Sequence, residues 1–471
     1  MKVGIIGAGP AGLTAGYQLS KSLPGVCVYE AGPEVGGMSK SLDLWEEKVD
    51  LGPHRFFSSD KRVNELWLEV VEKDYLIVDR LTRIFYNGRF FHYPLKAFNA
   101  LRNLGIWDAM RCLFSYLGER LSPTPQNGSF ENWVVGRFGR RLFEVFFKTY
   151  SEKLWGISCQ ELDADFAAQR IKKLSLWEAI KNAILAGRQN KHKTLVDRFA
   201  YPKEGSGMVY QRMASGIEAN GGQVRLNQPV QRVILENGRA VGLELKDGTV
   251  EYYDYIISSM PLSLMVSRLL DAPQAVRQAA QQLQFRHTIL VYLRVKGTGL
   301  FPDNWLYVHS PELQMGRITN FNNWVPNPDR SHSILTLEYW CYEEEALWKA
   351  TEEDLIELAK KELVQTGLVQ SEAIEQGYIH RIPRCYPVYT RGYKELLSPI
   401  ESYLKGIDKL SVIGRYGAFK YNNQDHSILM GIMAAENILN DHHHDLWDIN
   451  TDYENYQEAS IITETGLESV N

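Results

Sequence analysis

The first 31 residues alternate short apolar runs with a glycine-broken helical stretch. Val3-Gly4-Ile5-Ile6 and Val26-Cys27-Val28-Tyr29 are uninterrupted runs of strand length, the pattern of parallel strands covered on both faces. Ala11 to Leu19, between them, has helical spacing. Residues 96–200 lack period-2 alternation and read as helices. Ser129 is placed to cap one that carries Trp133, Val134, Phe138, Leu142 and Phe146 on one face, and Leu174–Leu185 predicts another. Ser122 to Gly128 is a loop. From residue 223 the period changes to 2. Gln223–Leu226, Gln231–Leu235, Ala240–Lys246 and Thr249–Tyr253 are short strands joined at Glu236-Asn237-Gly238 and Asp247-Gly248. Tyr255–Ser259, Thr288–Val295, Trp305–His309, Arg317–Phe321, Ser333–Trp340 and Leu410–Ile413 read as further strands. Glu352–Leu363 and Ser427–Leu439 read as helices.

Composition changes this picture little. The chain has 471 residues, about three domains' worth, and is 44% hydrophobic and 23% charged, which excludes wholesale disorder. Five scattered cysteines without a C-x-x-C argue against a disulfide framework or a structural zinc site and suit a reducing cytoplasm. No apolar run reaches transmembrane length. His442-His443-His444 reads as a solvated tail and not a metal site. With a net charge of −5 nothing global points to nucleic acid, yet residues 96–203 hold 18 Lys and Arg against 10 Asp and Glu. That local excess of +8 suits an anionic ligand, and it leaves peripheral contact with a membrane surface open.

Gly7-Ala8-Gly9-Pro10-Ala11-Gly12 follows a strand, opens a helix, and is answered by Glu30 at the end of the next strand. Gly7 permits the tight turn, Gly9 lets a pyrophosphate approach the backbone, and Gly12 lets helix pack on strand. The helix N-terminus attracts the anion, and Glu30 can accept from a ribose hydroxyl. Gly36-Gly37-Met38 follows directly. The run from Glu30 to Gly37 resembles the extension carried by flavin amine oxidases and related proteins, and this favours FAD over NAD.

The run Gly414-Arg415-Tyr416-Gly417-Ala418-Phe419-Lys420-Tyr421-Asn422-Asn423-Gln424-Asp425-His426-Ser427 resembles a segment of eukaryotic-type UDP-galactopyranose mutases. Leu51-Gly52-Pro53-His54, Tyr93-Pro94, Tyr150-Ser151-Glu152-Lys153-Leu154-Trp155, Gly316-Arg317-Ile318-Thr319-Asn320-Phe321 and Tyr386-Pro387-Val388-Tyr389-Thr390 resemble that family's other motifs, in the same order. The chain as a whole resembles a bacterial relative of these mutases.

The resemblance implies an α/β fold. A Rossmann-like FAD-binding domain would be assembled from residues 1–85, 201–270 and 396–445. A helical substrate domain (86–200), an antiparallel-sheet substrate domain (271–395) and a tail (446–471) would complete it. It also implies roles. Gly7, Gly9, Gly12, Glu30, Gly36, Gly37, Met38, Gly52 and Gly414 would hold FAD, with His54 against the flavin. Arg317 and Arg415 would bind the two phosphates of a sugar nucleotide, helped by Tyr386, Tyr421 and Asn423, while Tyr93 and Trp155 would line the base. The implied reaction is pyranose–furanose isomerisation, with N5 of reduced FAD as nucleophile at the anomeric carbon and an external donor such as NADPH as reductant.

Several positions depart from the family. Pro53 stands in the flavin loop where the family has glycine, Leu95 and Lys96 change the base pocket, and Ser151 and Tyr389 replace an asparagine and a proline. Asp425 reads as the cap of the closing helix. The N-terminal motifs are shared with amine oxidases and protoporphyrinogen oxidases. An FAD-dependent oxidoreductase acting on an amine, porphyrin or isoprenoid is therefore the alternative.

Overall fold

The computed structural model describes residues 1–95, 97–165, 198–440, 442–449 and 460–469. The helix expected over Leu174–Leu185 and Lys96, expected in a base pocket, lie outside them. Contact density divides the chain into two compact units: Met1–Ile77 with Phe199–Gln284 and Gly392–Asn471, and Val78–Arg198 with Phe285–Arg391.

The first unit is built on a five-stranded parallel sheet. Its order is Leu410–Val412, Tyr255–Ser258, Lys2–Ile6, Gly25–Tyr29, Gln223–Arg225. Val3, Ile5, Val28, Ile256 and Ile257 are wholly buried, because helices cover both faces of such a sheet. The helix Pro10–Ser20 starts with proline at its first position, where the missing N–H costs nothing. It packs along the closing helix Gln424–Leu439 at Gly431, where a Cβ would come within 2.6 Å of Ala11 O and 2.7 Å of Thr14 Cβ. The strands at 230–252 form a separate three-stranded antiparallel sheet.

The second unit carries a seven-stranded sheet in the order Ile374–Pro387, Phe285–Lys296, His332–Cys341, Arg317–Asn320, Trp305–Val308, Thr82–Tyr86, Arg89–His92. All its pairs are antiparallel except Trp305–Val308 with Thr82–Tyr86. Period-2 alternation separates its faces. Leu306, Ile318 and Leu337 join one buried apolar cluster with Ile289, Val291 and Leu293. Their chain neighbours Tyr307, Arg317 and Glu338 are cross-strand partners on the opposite face.

Three local expectations are corrected. Ser129 caps a helix as expected, with its side chain accepting from Asn132 N, but that helix ends at Phe138. Gly139 has φ +81°, a conformation that ends a helix, so Leu142 and Phe146 belong to the elements that follow. The closing helix begins at Gln424, so Asp425 lies in its first turn, buried, and not at the cap. Tyr386 and Pro387 end a long strand, Ile374–Pro387, that is missing from the strands expected above.

Asp50 ends the hairpin strand Glu47–Asp50 and is wholly buried. It accepts hydrogen bonds from Ser41 Oγ at 2.5 Å, Tyr201 OH at 2.9 Å and Ser206 N at 3.1 Å. Burial outweighs these donors and pushes its carboxyl up to about 6. The fold thus holds the proton more tightly than the unfolded chain does, so stability is fullest at low pH and falls as pH rises to about 6. Urea unfolding should show wild type losing up to about 3 kcal/mol across pH 4–6 relative to Asp50→Asn. Parallel pH profiles for the two proteins would count against this. At the helix contact, Gly431→Ala should cost about 1–3 kcal/mol by forcing backbone apart, read as a lower melting temperature.

Candidate active site

Around the N-terminus of helix Pro10–Ser20 the glycines have distinct reasons. A Cβ at Gly12 would meet Gly7 O at 2.0 Å, and one at Gly7 would meet Ser259 Oγ at 2.3 Å, so the fold itself demands both. Gly9 is different. Its φ is −85°, and the nearest atom to an added Cβ is Gly37 Cα at 3.9 Å. No protein atom explains its missing side chain, whereas a pyrophosphate lying on the backbone does. The turn therefore fits the pyrophosphate of a dinucleotide.

The second glycine pair lies against this turn. Gly36 N donates to Ala8 O at 2.7 Å, and a Cβ on Gly37 would lie 3.1 Å from Gly9 Cα. Glu30 accepts from Ala8 N and Gly32 N, each at 2.9 Å, so its carboxylate holds the two loops together while keeping lone pairs for a ribose hydroxyl. Half-buried Met38 takes a contact from the Tyr416 hydroxyl through its sulfur. Gly414 has φ +84°, and a Cβ there would sit 3.1 Å from Ala11 Cβ, so the late segment also reaches the helix start.

Arg415 follows immediately. Its Nη1 donates to Asn422 O at 2.8 Å, and the guanidinium lies over the Tyr421 ring, 4.5 Å from the centroid. The structure thus brings Arg415 and Tyr421 together. Asn423 is the exposed N-cap residue of the closing helix and makes no side-chain cap bond. The loop Gly52-Pro53-His54 is held at its end. His54 O accepts from Ser206 Oγ at 3.0 Å and from Gln424 Nε2 at 3.1 Å, and Gln424 Oε1 accepts from Tyr210 OH. Pro53 O accepts from Arg55 N at 3.0 Å, and Gly52 has φ +127°.

In the second unit Arg317 lies in a bidentate pair with buried Glu338, Nε to Oε1 at 2.6 Å and Nη2 to Oε2 at 2.5 Å. Burial opposes its charge, but Glu338 prevails and keeps the guanidinium protonated well above its ordinary range. Tyr386 and Tyr150 lie within electrostatic reach of Arg317. An aromatic row runs across this face: Tyr93 edge-on to Tyr307 at 5.1 Å, Tyr307 to Tyr150 at 5.5 Å, and Tyr150 stacked on His309 at 4.8 Å. Of these, Tyr93 is 43% exposed and is joined to Pro94 by a cis bond. A Cβ at Gly316 would enter the Trp340 ring at 1.8 Å, so the glycine before Arg317 makes room for that ring.

Trp155 departs from expectation. It is wholly buried, edge-on to Tyr386 at 6.1 Å, and so supports Tyr386 instead of presenting a surface to a base. Lys153 of the same motif points to the carbonyls of Val308, Ser310 and Met315, at 3.2, 2.7 and 3.3 Å. Burial lowers it to about 8. Burial and Lys153 push His309 down to about 3, so that ring is neutral at pH 7.

Glu338 was missed by sequence reading, although a lone carboxylate inside the apolar run Ser333–Trp340 requires a buried cation as partner. Tyr150 was read only as part of a motif, and its partners Tyr307 and His309 carried no signal of their own. Among the described residues no group of three His, Cys, Asp or Glu is placed to hold a metal.

A family profile described as flavin containing amine oxidoreductase matches residues 10–439. A 4,4'-diapophytoene desaturase (4,4'-diapolycopene-forming) of Methylomonas sp is 24% identical over 328 residues, 61% of this chain and 60% of that protein. A probable UDP-galactopyranose mutase of Klebsiella pneumoniae is 28% identical over 170 residues, 34% of this chain and 42% of that protein. The chain therefore matches less than two thirds of the length of either relative. A crystal structure of reduced UDP-galactopyranose mutase superposes with a TM-score of 0.83 at 23% identity, covering 97% of this chain and 96% of that one. A putative protoporphyrinogen oxidase from Exiguobacterium sp. 255-15 does so at 0.73 and 18%, covering 94% and 99%. These two likenesses establish a shared fold. With the profile spanning nearly the whole chain, the protein belongs to the flavin-containing amine oxidoreductase family.

Proposed function

We propose that this chain is an FAD-dependent sugar-nucleotide mutase interconverting pyranose and furanose forms, as in UDP-galactopyranose mutases. The first unit holds FAD through Gly7, Gly9, Gly12, Glu30, Gly36, Gly37, Met38, Gly52 and Gly414. One observation carries the reading. Arg415, a permanent cation fixed by Asn422 O and the Tyr421 ring, directly follows Gly414, which touches the helix that opens the dinucleotide cradle. Such a cation attracts a diphosphate and repels the protonated amine of an amine-oxidase substrate.

Reduced FAD supplies, when bound, the nucleophile for the anomeric carbon. The chain's own groups bind and orient the nucleotide and stabilise the charge on the departing diphosphate. Arg415 supplies net positive charge, and Tyr421 holds its plane. Arg317 acts differently. Glu338 neutralises it, so it offers directed N–H dipoles from the nitrogen that Glu338 does not engage. Tyr386 and Tyr93 contribute a hydroxyl and a stacking surface. The His54 loop, pinned through its carbonyl, sets the shape beside the cofactor. The proposed reaction requires positioning and charge and no acid–base dyad.

Two observations favour the oxidoreductase alternative. Neutralisation of Arg317 makes the sheet face less suited to a dianion, and the desaturase match is longer than the mutase match. Anaerobic incubation of dithionite-reduced protein with UDP- and dTDP-sugars, followed by chromatography, should yield a ring isomer from at least one. Absence of any isomer, with acceptor reduction on adding an amine or isoprenoid, would replace the mutase reading with the other.

Arg415→Ala should lower kcat/KM about 10–100-fold with flavin retained, the loss of one charge-assisted contact to the diphosphate. Arg317→Ala is a poorer probe, because it strands Glu338 in the interior. It should destabilise the protein by about 3–5 kcal/mol in chemical unfolding, and adding Glu338→Gln should restore much of that loss.

A further inference from the structure

The helix Ile106–Leu121 turns an apolar stripe to solvent. Ile106, Trp107, Met110, Leu113, Phe114, Leu117 and Leu121 are all exposed, with Trp107 at 75%, Phe114 at 64% and Leu121 at 88%. At about 100° per residue they fall within an arc of about 120°. The inward side is carried by buried Cys112 and Tyr116. A monomeric protein rarely leaves so long a run of large apolar side chains in water.

Charge on the same helix says what covers the stripe. Arg111 borders one edge, with its side chain 71% exposed, and Arg120 borders the other. The helix's two carboxylates lie on the far side. Asp108 is paired with Arg111 and Arg141, and Glu119 accepts from the Thr124 hydroxyl at 2.8 Å. A second copy laid on this stripe would therefore press arginine margins against each other, with the helix's carboxylates on the side away from the contact. A bilayer with anionic headgroups supplies an apolar phase for the stripe and phosphates for both margins. Trp107 and Phe114 are side chains suited to that boundary.

We propose that Ile106–Leu121 is a docking element that seats the protein on bilayers containing anionic lipid. The helix lies in the interface plane, with its seven apolar side chains at the acyl boundary and Arg111 and Arg120 at headgroup phosphates. No helix among the described residues is long and apolar enough to cross a membrane, so attachment by this element is peripheral. The proposal stands independently of the mutase reading.

Sedimentation of the flavin-loaded protein with sucrose-loaded vesicles tests it. Wild type should pellet with phosphatidylcholine–phosphatidylglycerol vesicles, less as NaCl rises, and stay in solution with phosphatidylcholine alone. Trp107→Gln/Phe114→Gln should lower the partition coefficient about tenfold or more. Both side chains are exposed, so flavin absorbance and melting temperature should match wild type. Arg111→Gln, a second probe, should weaken binding several-fold and flatten the salt dependence. Wild type that stays in the supernatant with the anionic vesicles, or a double variant that pellets equally, overturns the proposal. So does a wild-type dimer that the double variant dissociates while neither binds vesicles, which would assign the face to a second copy.

Discussion

Backbone segments can crowd the start of helix Pro10–Ser20 only where side chains are absent. The turn at Gly7–Gly12, the loop at Gly36–Gly37, the late segment at Gly414 and the closing helix at Gly431 each arrive with a glycine at or beside the contact. All four approaches would bring a Cβ to 3.1 Å or less from helix or turn atoms, closer than side chains ordinarily pack. Within the Gly7–Gly12 turn, Gly9 has room for a side chain, and this is what separates a cofactor cradle from a merely tight turn. Arg415, Met38 and Glu30 take their places from this convergence.

The second unit solves a different problem, that of keeping charge on a sheet face that is largely buried. Arg317 is held by a two-pronged carboxylate, Lys153 by three carbonyls, and His309 is kept neutral under Tyr150. Arg317 and Lys153 thus have defined partners and His309 a suppressed charge, as the low dielectric demands. The same face carries Tyr93, Tyr307 and Tyr386, so a rigid aromatic surface surrounds one neutralised arginine. A ligand on it would meet directed donors more than net charge.

Much of the candidate site was legible from local order. Gly7, Gly9, Gly12 and Glu30 are spaced by the needs of one turn and the next strand, and short-range spacing is what a chain displays openly. Arg415 and Tyr421 lie six residues apart and meet within one tight segment. The strands at Lys2–Ile6, Gly25–Tyr29 and Tyr255–Ser258 announced themselves as unbroken apolar runs. Elements stopped by a single backbone conformation were less legible. Gly139 ends a helix whose apolar spacing continues through Leu142 and Phe146, because periodicity does not register a positive φ.

The sequence by itself determined the parallel sheet, the glycine turn, the acidic answer at Glu30 and the identity of the cations, since each depends on residues close in the chain or on side-chain chemistry alone. Only the tertiary structure decided what those cations face. Glu338 reaches Arg317 because two strands place them in register, with a separation of 21 residues that no local pattern encodes. Trp155 became a buried support because Tyr386, from a strand far along the chain, closes over it. The stripe on Ile106–Leu121 was visible as helical spacing, but its exposure depends on what else packs there. Burial is a property of the assembled fold, and period alone does not distinguish a core-facing apolar stripe from one turned outward.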